Sequence, residues 1–132
     1  MLEHLDQNEA VLFLKEARRV LRSGGIIRLA IPDLRKQVLQ YIETNEGDAF
    51  ISATLLTEPR PRTIWQRIKI ILVGTRHHQW MYDGVSLSRL LQAQGFTAPV
   101  VLNAGESLIE NPQNLDLCER ASESVYVEAI GP

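Results

Sequence analysis

The alternation of apolar and polar positions divides the chain into helical and extended segments. Asp6 stands three positions before Glu9, a pairing in which each side chain can accept a backbone N–H of a first helical turn. Val11, Leu14, Ala17 and Leu21 then recur on one helical face, with Lys15, Arg18 and Arg22 looking outward. Gly24-Gly25 supplies the left-handed residue at which a helix ends. The next segment, 26–31, reads Ile-Ile-Arg-Leu-Ala-Ile, branched and mostly apolar on both faces. That is the pattern of a buried strand rather than an edge strand. Pro32 stops it, and Asp33 can cap a second helix that carries Leu34, Val38, Tyr41 and Ile42 on one side and fades across 45–47.

Beyond this point the pattern loosens and then recovers. Phe50, Ile51, Leu55 and Leu56 fit a short helix or a packed loop within 48–60. Pro59 and Pro61 punctuate, and a basic amphipathic helix is predicted over 62–73. A turn-rich stretch, 74–84, follows. Leu87, Leu90 and Leu91 then mark a further helix that stops at Gly95. Residues 96–102 read as a strand, and Pro99 within it points to a sheet edge. A loop rich in Asn, Gly, Pro and Glu covers 103–123. In 124–130, Val125, Val127 and Ala129 alternate against Tyr126, Glu128 and Ile130, a final strand. Strands interleaved with helices predict an α/β layer of about three strands with helices packed on it in three layers.

Composition narrows the class of protein. At 132 residues and 45% hydrophobic, the chain has the size and apolar content of one globular domain. No apolar run approaches the roughly 20 residues that span a bilayer. Leu2, Glu3, His4, Leu5 and Asp6 do not form the basic-then-apolar pattern of a secretory signal. The lone Cys118 has no internal disulfide partner, which fits a cytoplasmic location. The net charge of −2 hides an uneven distribution. Arg60, Arg62, Arg67, Lys69 and Arg76 face a single acid, Glu58, in 58–78. Glu106, Glu110, Asp116, Glu119, Glu123 and Glu128 face only Arg120 in 103–132. The chain as a whole therefore lacks the basic footprint of a nucleic-acid-binding protein.

Three groups of residues are candidates for chemistry. Glu3-His4 sets a carboxylate beside an imidazole, an acid/base pair or a substrate contact, or simply two polar residues at a helix entrance. His77, His78, Trp80, Tyr82 and Asp83 form a segment able to line a pocket, or a packed turn anchored by Trp80. Adjacent histidines point apart on any regular element, so they make a poor metal site without further ligands, and no Cys/His metal spacing is present. Arg60, Arg62, Arg67 and Lys69 can meet phosphates or an anionic surface, or form a solvated face that balances the acidic tail. There is no glycine-rich phosphate loop and no G-x-S-x-G, and Gly24-Gly25 lies before a strand rather than after one, the wrong order for a nucleotide cradle.

Several strings, taken together and at their spacing, resemble the class I S-adenosylmethionine-dependent methyltransferases, in the subgroup called methyltransferase type 11. They are Leu2-Glu3-His4-Leu5, Phe13-Leu14-Lys15-Glu16-Ala17-Arg18-Arg19-Val20-Leu21, and Gly24-Gly25 followed by 26–31 and Pro32-Asp33-Leu34. Trp80-Met81-Tyr82-Asp83, Ser86-Leu87, Leu90-Leu91, Gly95-Phe96 and Ser124-Val125-Tyr126-Val127-Glu128-Ala129 fit the subgroup's C-terminal half. The resemblance implies a partial Rossmann-like methyltransferase fold. In the family the sheet has the order 3-2-1-4-5-7-6, and this chain would supply the equivalents of strands five, six and seven.

The resemblance further implies what the chain lacks. The family's donor-binding loop and its ribose-binding acid precede the residue matching Met1, so no position here receives a cofactor-binding role. Residues 1–132 would be a single domain, the C-terminal half of a truncated methyltransferase-like protein that does not bind S-adenosylmethionine by itself. Glu3 and His4 would border the pocket, with His4 as the acid/base or polar group, and His78, Trp80 and Tyr82 would contact a small-molecule acceptor. Without strand four, the edge of 26–31 would lie open, to be covered by a complementing N-terminal half or by a second copy in a homodimer. The alternative is a non-enzymatic assembly module that self-associates through that edge. Neither reading involves a membrane or nucleic acid.

Overall fold

The computed structural model describes residues 2–55 and 78–132. A 3-10 turn, Leu2–His4, leads into helix α1, Gln7–Val20. Strand β1, Ile26–Pro32, is followed by α2, Leu34–Thr44, and the short α3, Gly47–Thr54. Helix α4, Gly84–Ala93, precedes β2, Thr97–Leu102, and β3, Ser124–Ile130, closes the order. The predicted basic helix over 62–73 lies outside the described residues.

Local chemistry accounts for these boundaries. Asp6 accepts the N–H groups of Asn8 and Glu9 while Glu9 reaches back to the Asp6 N–H, which completes the capping box. Asp33 caps α2 through the Arg35 N–H at 2.9 Å. Asp83 and Ser86 form a second capping box at the start of α4. Gly95 ends that helix at φ +85°, where a Cβ would run into the Arg18 guanidinium. Residues 48–54, open between helix and loop on sequence grounds, belong to α3.

The sheet is antiparallel with the order β1-β3-β2. Ile26 pairs with Ile130 and Pro32 with Ser124, so β1 and β3 run in register over their whole length. β2 pairs with the other side of β3, with an irregularity between Thr97 and Val100, beside Pro99. Both sequence-adjacent strands therefore flank the last one, and the C-terminal segment is the centre of the sheet.

This placement corrects the reading of 26–31 from its apolar pattern and fits the open edge that the resemblance implied. The doubly apolar 26–31 reads as an interior strand, but among the described residues β1 pairs only with β3 and most of it is half-buried. The strand expected at 124–130 is present, and its alternating pattern does not leave one face open, since Ser124 to Ala129 are all buried. The reason is that the two faces of β3 have different covers. Val125, Val127 and Ala129 join Leu14 of α1, Leu87 and Leu91 of α4, Leu2 and Phe96 in one apolar core. Burying each such leucine contributes about 1.5–3 kcal/mol. On the other face, the loop 103–123 lies over Tyr126 and Glu128. Among the described residues, α1 and α4 thus cover one face of the sheet and an irregular loop the other.

A buried ion pair fastens that loop. Arg28 and Glu128 are cross-strand partners, and their side chains meet at 2.6 Å, with the Glu128 side chain wholly inaccessible. Glu128 also accepts the Ser107 hydroxyl at 2.8 Å and the Leu108 N–H at 2.6 Å. Arg28 donates to the Glu106 and Leu117 carbonyls and lies 5.0 Å from the Tyr126 ring centroid. The Tyr126 hydroxyl donates to the Glu119 carbonyl at 2.7 Å. Burial pushes the Glu128 carboxyl upward, but its backbone, arginine and hydroxyl donors outweigh burial and hold it below the usual carboxylate value.

A carboxyl with a lowered folded-state pKa contributes stability above its unfolded pKa, and that contribution disappears as pH falls through the folded value. Glu128→Gln leaves Arg28 as a buried unpaired charge and is expected to cost about 3–5 kcal/mol at neutral pH. Urea unfolding followed by circular dichroism, repeated from pH 7 downward, checks both points. The loss of stability below about pH 4 should be shallower in the variant than in the natural chain.

Candidate functional site

The 3-10 turn is built for anchoring. Leu5 N–H closes it onto the Leu2 carbonyl at 3.1 Å, and Leu2 is buried in the core. With that anchor, Glu3 turns inward and is buried, while the adjacent His4 stays 39% exposed at its side chain. His4 Nε2 lies 3.6 Å from Glu3 Oε1.

Residues 78–80 are tied to the same turn through the backbone. The Gln79 and Trp80 N–H groups both donate to the Glu3 carbonyl, at 2.7 and 3.3 Å. The His78 N–H donates to the Leu55 carbonyl at 3.2 Å, and its ring Nδ1 sits 2.9 Å from the Thr54 carbonyl. A carbonyl only accepts, so in the neutral ring Nδ1 carries the proton and Nε2 the lone pair. Thr54 and Leu55 form the C-terminal end of α3, where a backbone carbonyl has no intrahelical donor. His78 thereby joins the end of α3 to the turn before α1. Its ring centroid lies 5.2 Å from that of His4.

Burial lowers the His78 pKa, opposed by the Thr54 hydrogen bond and the Glu3 charge, so the ring is neutral at pH 7. Burial raises the Glu3 pKa, but hydrogen bonds and nearby positive charge, that of His4 included, outweigh it and keep the carboxyl ionised. Glu3, His4 and His78 each place one donor atom within 4.8 Å of the other two.

Trp80 and Tyr82 occupy a neighbouring position. They line a groove of ≈ 480 Å³ with Gln7, Asn8, Val11, Ser86 and Leu90, between the first turns of α1 and α4. Trp80 is exposed and Tyr82 buried, and burial raises the Tyr82 hydroxyl pKa. Tyr82 forms an isolated parallel bridge with Asp33, and its carbonyl accepts the Leu34 N–H at 2.9 Å. The structure therefore divides the residues expected to contact an acceptor. His78 sits with Glu3 and His4, whereas Trp80 and Tyr82 form a groove of their own. Asp83 caps α4. His77, Arg60, Arg62, Arg67 and Lys69 lie outside the described residues.

Sequence reasoning missed Thr54, whose carbonyl orients His78. A backbone acceptor leaves no trace in residue type, so no pattern marked it. The strand-to-helix junction at Pro32 to Leu34 is closed by the Asp33 carboxylate rather than by glycine, and Gly24-Gly25 precedes a strand. No protein-family model matches the chain, and no curated protein matches it in sequence.

His78→Phe keeps an aromatic ring of similar shape but removes the donor to Thr54. The stranded carbonyl is expected to cost about 1–3 kcal/mol. Denaturant unfolding of the variant and of the natural chain measures this. An unchanged midpoint would show that the Thr54 contact carries no weight.

Proposed function

We propose that these residues form the acceptor-side, C-terminal half of an S-adenosylmethionine-dependent methyltransferase-like fold. The observation that carries this reading is the sheet order. β1 and β2 are parallel to each other, with the antiparallel β3 between them. The resembled family sets its seventh strand between its fifth and sixth in the same way. A C-terminal strand that returns to the middle of a sheet is a topological choice that residue pattern alone does not force. Glu3 and His4 form one wall of the pocket, with His4 as the polar or acid/base group, and His78 stands behind it. Trp80 and Tyr82 offer aromatic surface to a small-molecule acceptor. The donor would be held by strands outside residues 1–132, so no catalytic step is assigned to this chain by itself.

Calorimetric titration with S-adenosylmethionine tests the reading in two arms. Residues 1–132 alone are expected to give no binding heat. A protein extended upstream of Met1 by the in-frame coding sequence is expected to show a glycine-rich strand-to-helix turn and micromolar affinity. Micromolar binding by residues 1–132, or an extension without such a turn, would count against it.

A second reading, self-association without catalysis, is favoured by the outer edge of β1, which pairs with no strand among the described residues. Beside that edge runs a groove of ≈ 490 Å³ lined by Phe13, Ala17, Ile27, Leu29 and the loop residues Leu115 and Arg120, among others. Open N–H and C=O groups beside apolar surface are a template for another strand. Light scattering and amide exchange decide whether a second copy covers it. A dimer with slow exchange across 26–31 is the expected result on this reading, and a monomer with fast exchange there sinks it.

A further inference from the structure

Glu3, His4 and His78 come from opposite ends of the first 78 residues, and the fold brings their donor atoms within 4.8 Å of one another. From this convergence we propose a binding site for a divalent metal ion of the zinc type, a role that the methyl-transfer reading does not give these same residues and that does not depend on it. The donor set, two imidazoles and one carboxylate, is a set that such ions accept in sites retaining an open position.

Three further features of the geometry favour an ion here over a plain polar cluster. First, the His78 ring is oriented from behind. Its Nδ1–H is committed to the Thr54 carbonyl at 2.9 Å, so Nε2 is the nitrogen left with a lone pair to offer an ion. Metal-bound histidines are held in this way by an acceptor on the far nitrogen, which fixes both tautomer and ring direction. Second, the backbone is braced before any ion arrives. The Glu3 carbonyl takes two N–H bonds from Gln79 and Trp80, so the segments bearing the ligands cannot drift apart without breaking them. Third, burial is graded. Glu3 and His78 are buried, at 3% and 7% exposed, while His4 faces solvent. Access for an ion would be from the His4 side, where the side chain is 39% exposed.

The distances are close to what an ion requires. Bonds of about 2.0–2.2 Å put the donors of a tetrahedral ion about 3.4 Å apart. Glu3 Oε1 and His4 Nε2 are already at 3.6 Å. The His4 side chain, 39% exposed, has rotational freedom to shorten its own separations.

Zinc titration of residues 1–132 by calorimetry, with cobalt(II) substitution read by visible absorption, tests the site. One equivalent of zinc is expected to bind with micromolar or tighter affinity, to raise the thermal midpoint, and to be displaced by a chelator. Glu3→Gln and His4→Ala are each expected to weaken binding by about tenfold or more and to weaken the cobalt d–d bands. His4 is at the surface, so an unchanged far-ultraviolet circular dichroism spectrum separates its effect from unfolding. Cys118→Ser and His77→Ala are expected to bind as the natural chain does. Absence of saturable binding, unchanged affinity in either Glu3→Gln or His4→Ala, or loss confined to Cys118→Ser or His77→Ala would overturn the proposal. Because the titration contains no methyl donor, its failure leaves the acceptor-side reading untouched.

Discussion

The buried pair of Arg28 and Glu128 is the constraint on which the rest of the fold depends. Two charges without water are costly unless each finds several partners, and here the partners come from everywhere nearby. Glu128 meets Arg28, Ser107 and the Leu108 N–H, and Arg28 meets the Glu106 and Leu117 carbonyls. An otherwise irregular loop of polar residues is thereby held against the sheet. The pair also determines register, since a one-residue slip of β1 along β3 would send Arg28 to the helix-covered face. The loop, in turn, lets β3 be buried on the side away from α1 and α4.

The helix-covered face serves a different purpose. Leu2, Leu14, Leu87 and Leu91 pack against Val125, Val127 and Ala129, which places the starts of α1 and α4 side by side. The groove bearing Trp80 and Tyr82 opens between those starts. The Leu2 anchor holds Glu3 and His4 beside it. Thr54, at the end of α3, then supplies the one carbonyl that aims His78 at the same spot. Candidate chemistry gathers at element ends because backbone groups there are not consumed by regular hydrogen bonding.

Much of the local structure was legible along the chain. The box begun by Asp6, the cap at Asp33, the stop at Gly95, and the strand at 124–130 depend on neighbours within a few residues, and each formed where the pattern placed it. The candidate site was legible only as two separate fragments, Glu3-His4 and 78–82. Nothing in the spacing joined them, since the bonds that do so run from the Gln79 and Trp80 N–H groups to a main-chain oxygen. Likewise nothing marked Glu128 as a buried ion-pair member, because a glutamate every second residue from valine reads as solvent-facing.

The amino-acid sequence by itself determined where helices and strands begin and end, for capping, glycine stops and periodicity are short-range chemistry. It also determined that an apolar core of one domain's size would form. Only the tertiary structure decided that β3 is buried on both faces, that Arg28 and Glu128 are inside, and that Glu3, His4 and His78 share one place. Those outcomes rest on pairings between residues up to about a hundred positions apart. Such contacts are selected by the joint burial of whole faces, which no local window of sequence contains.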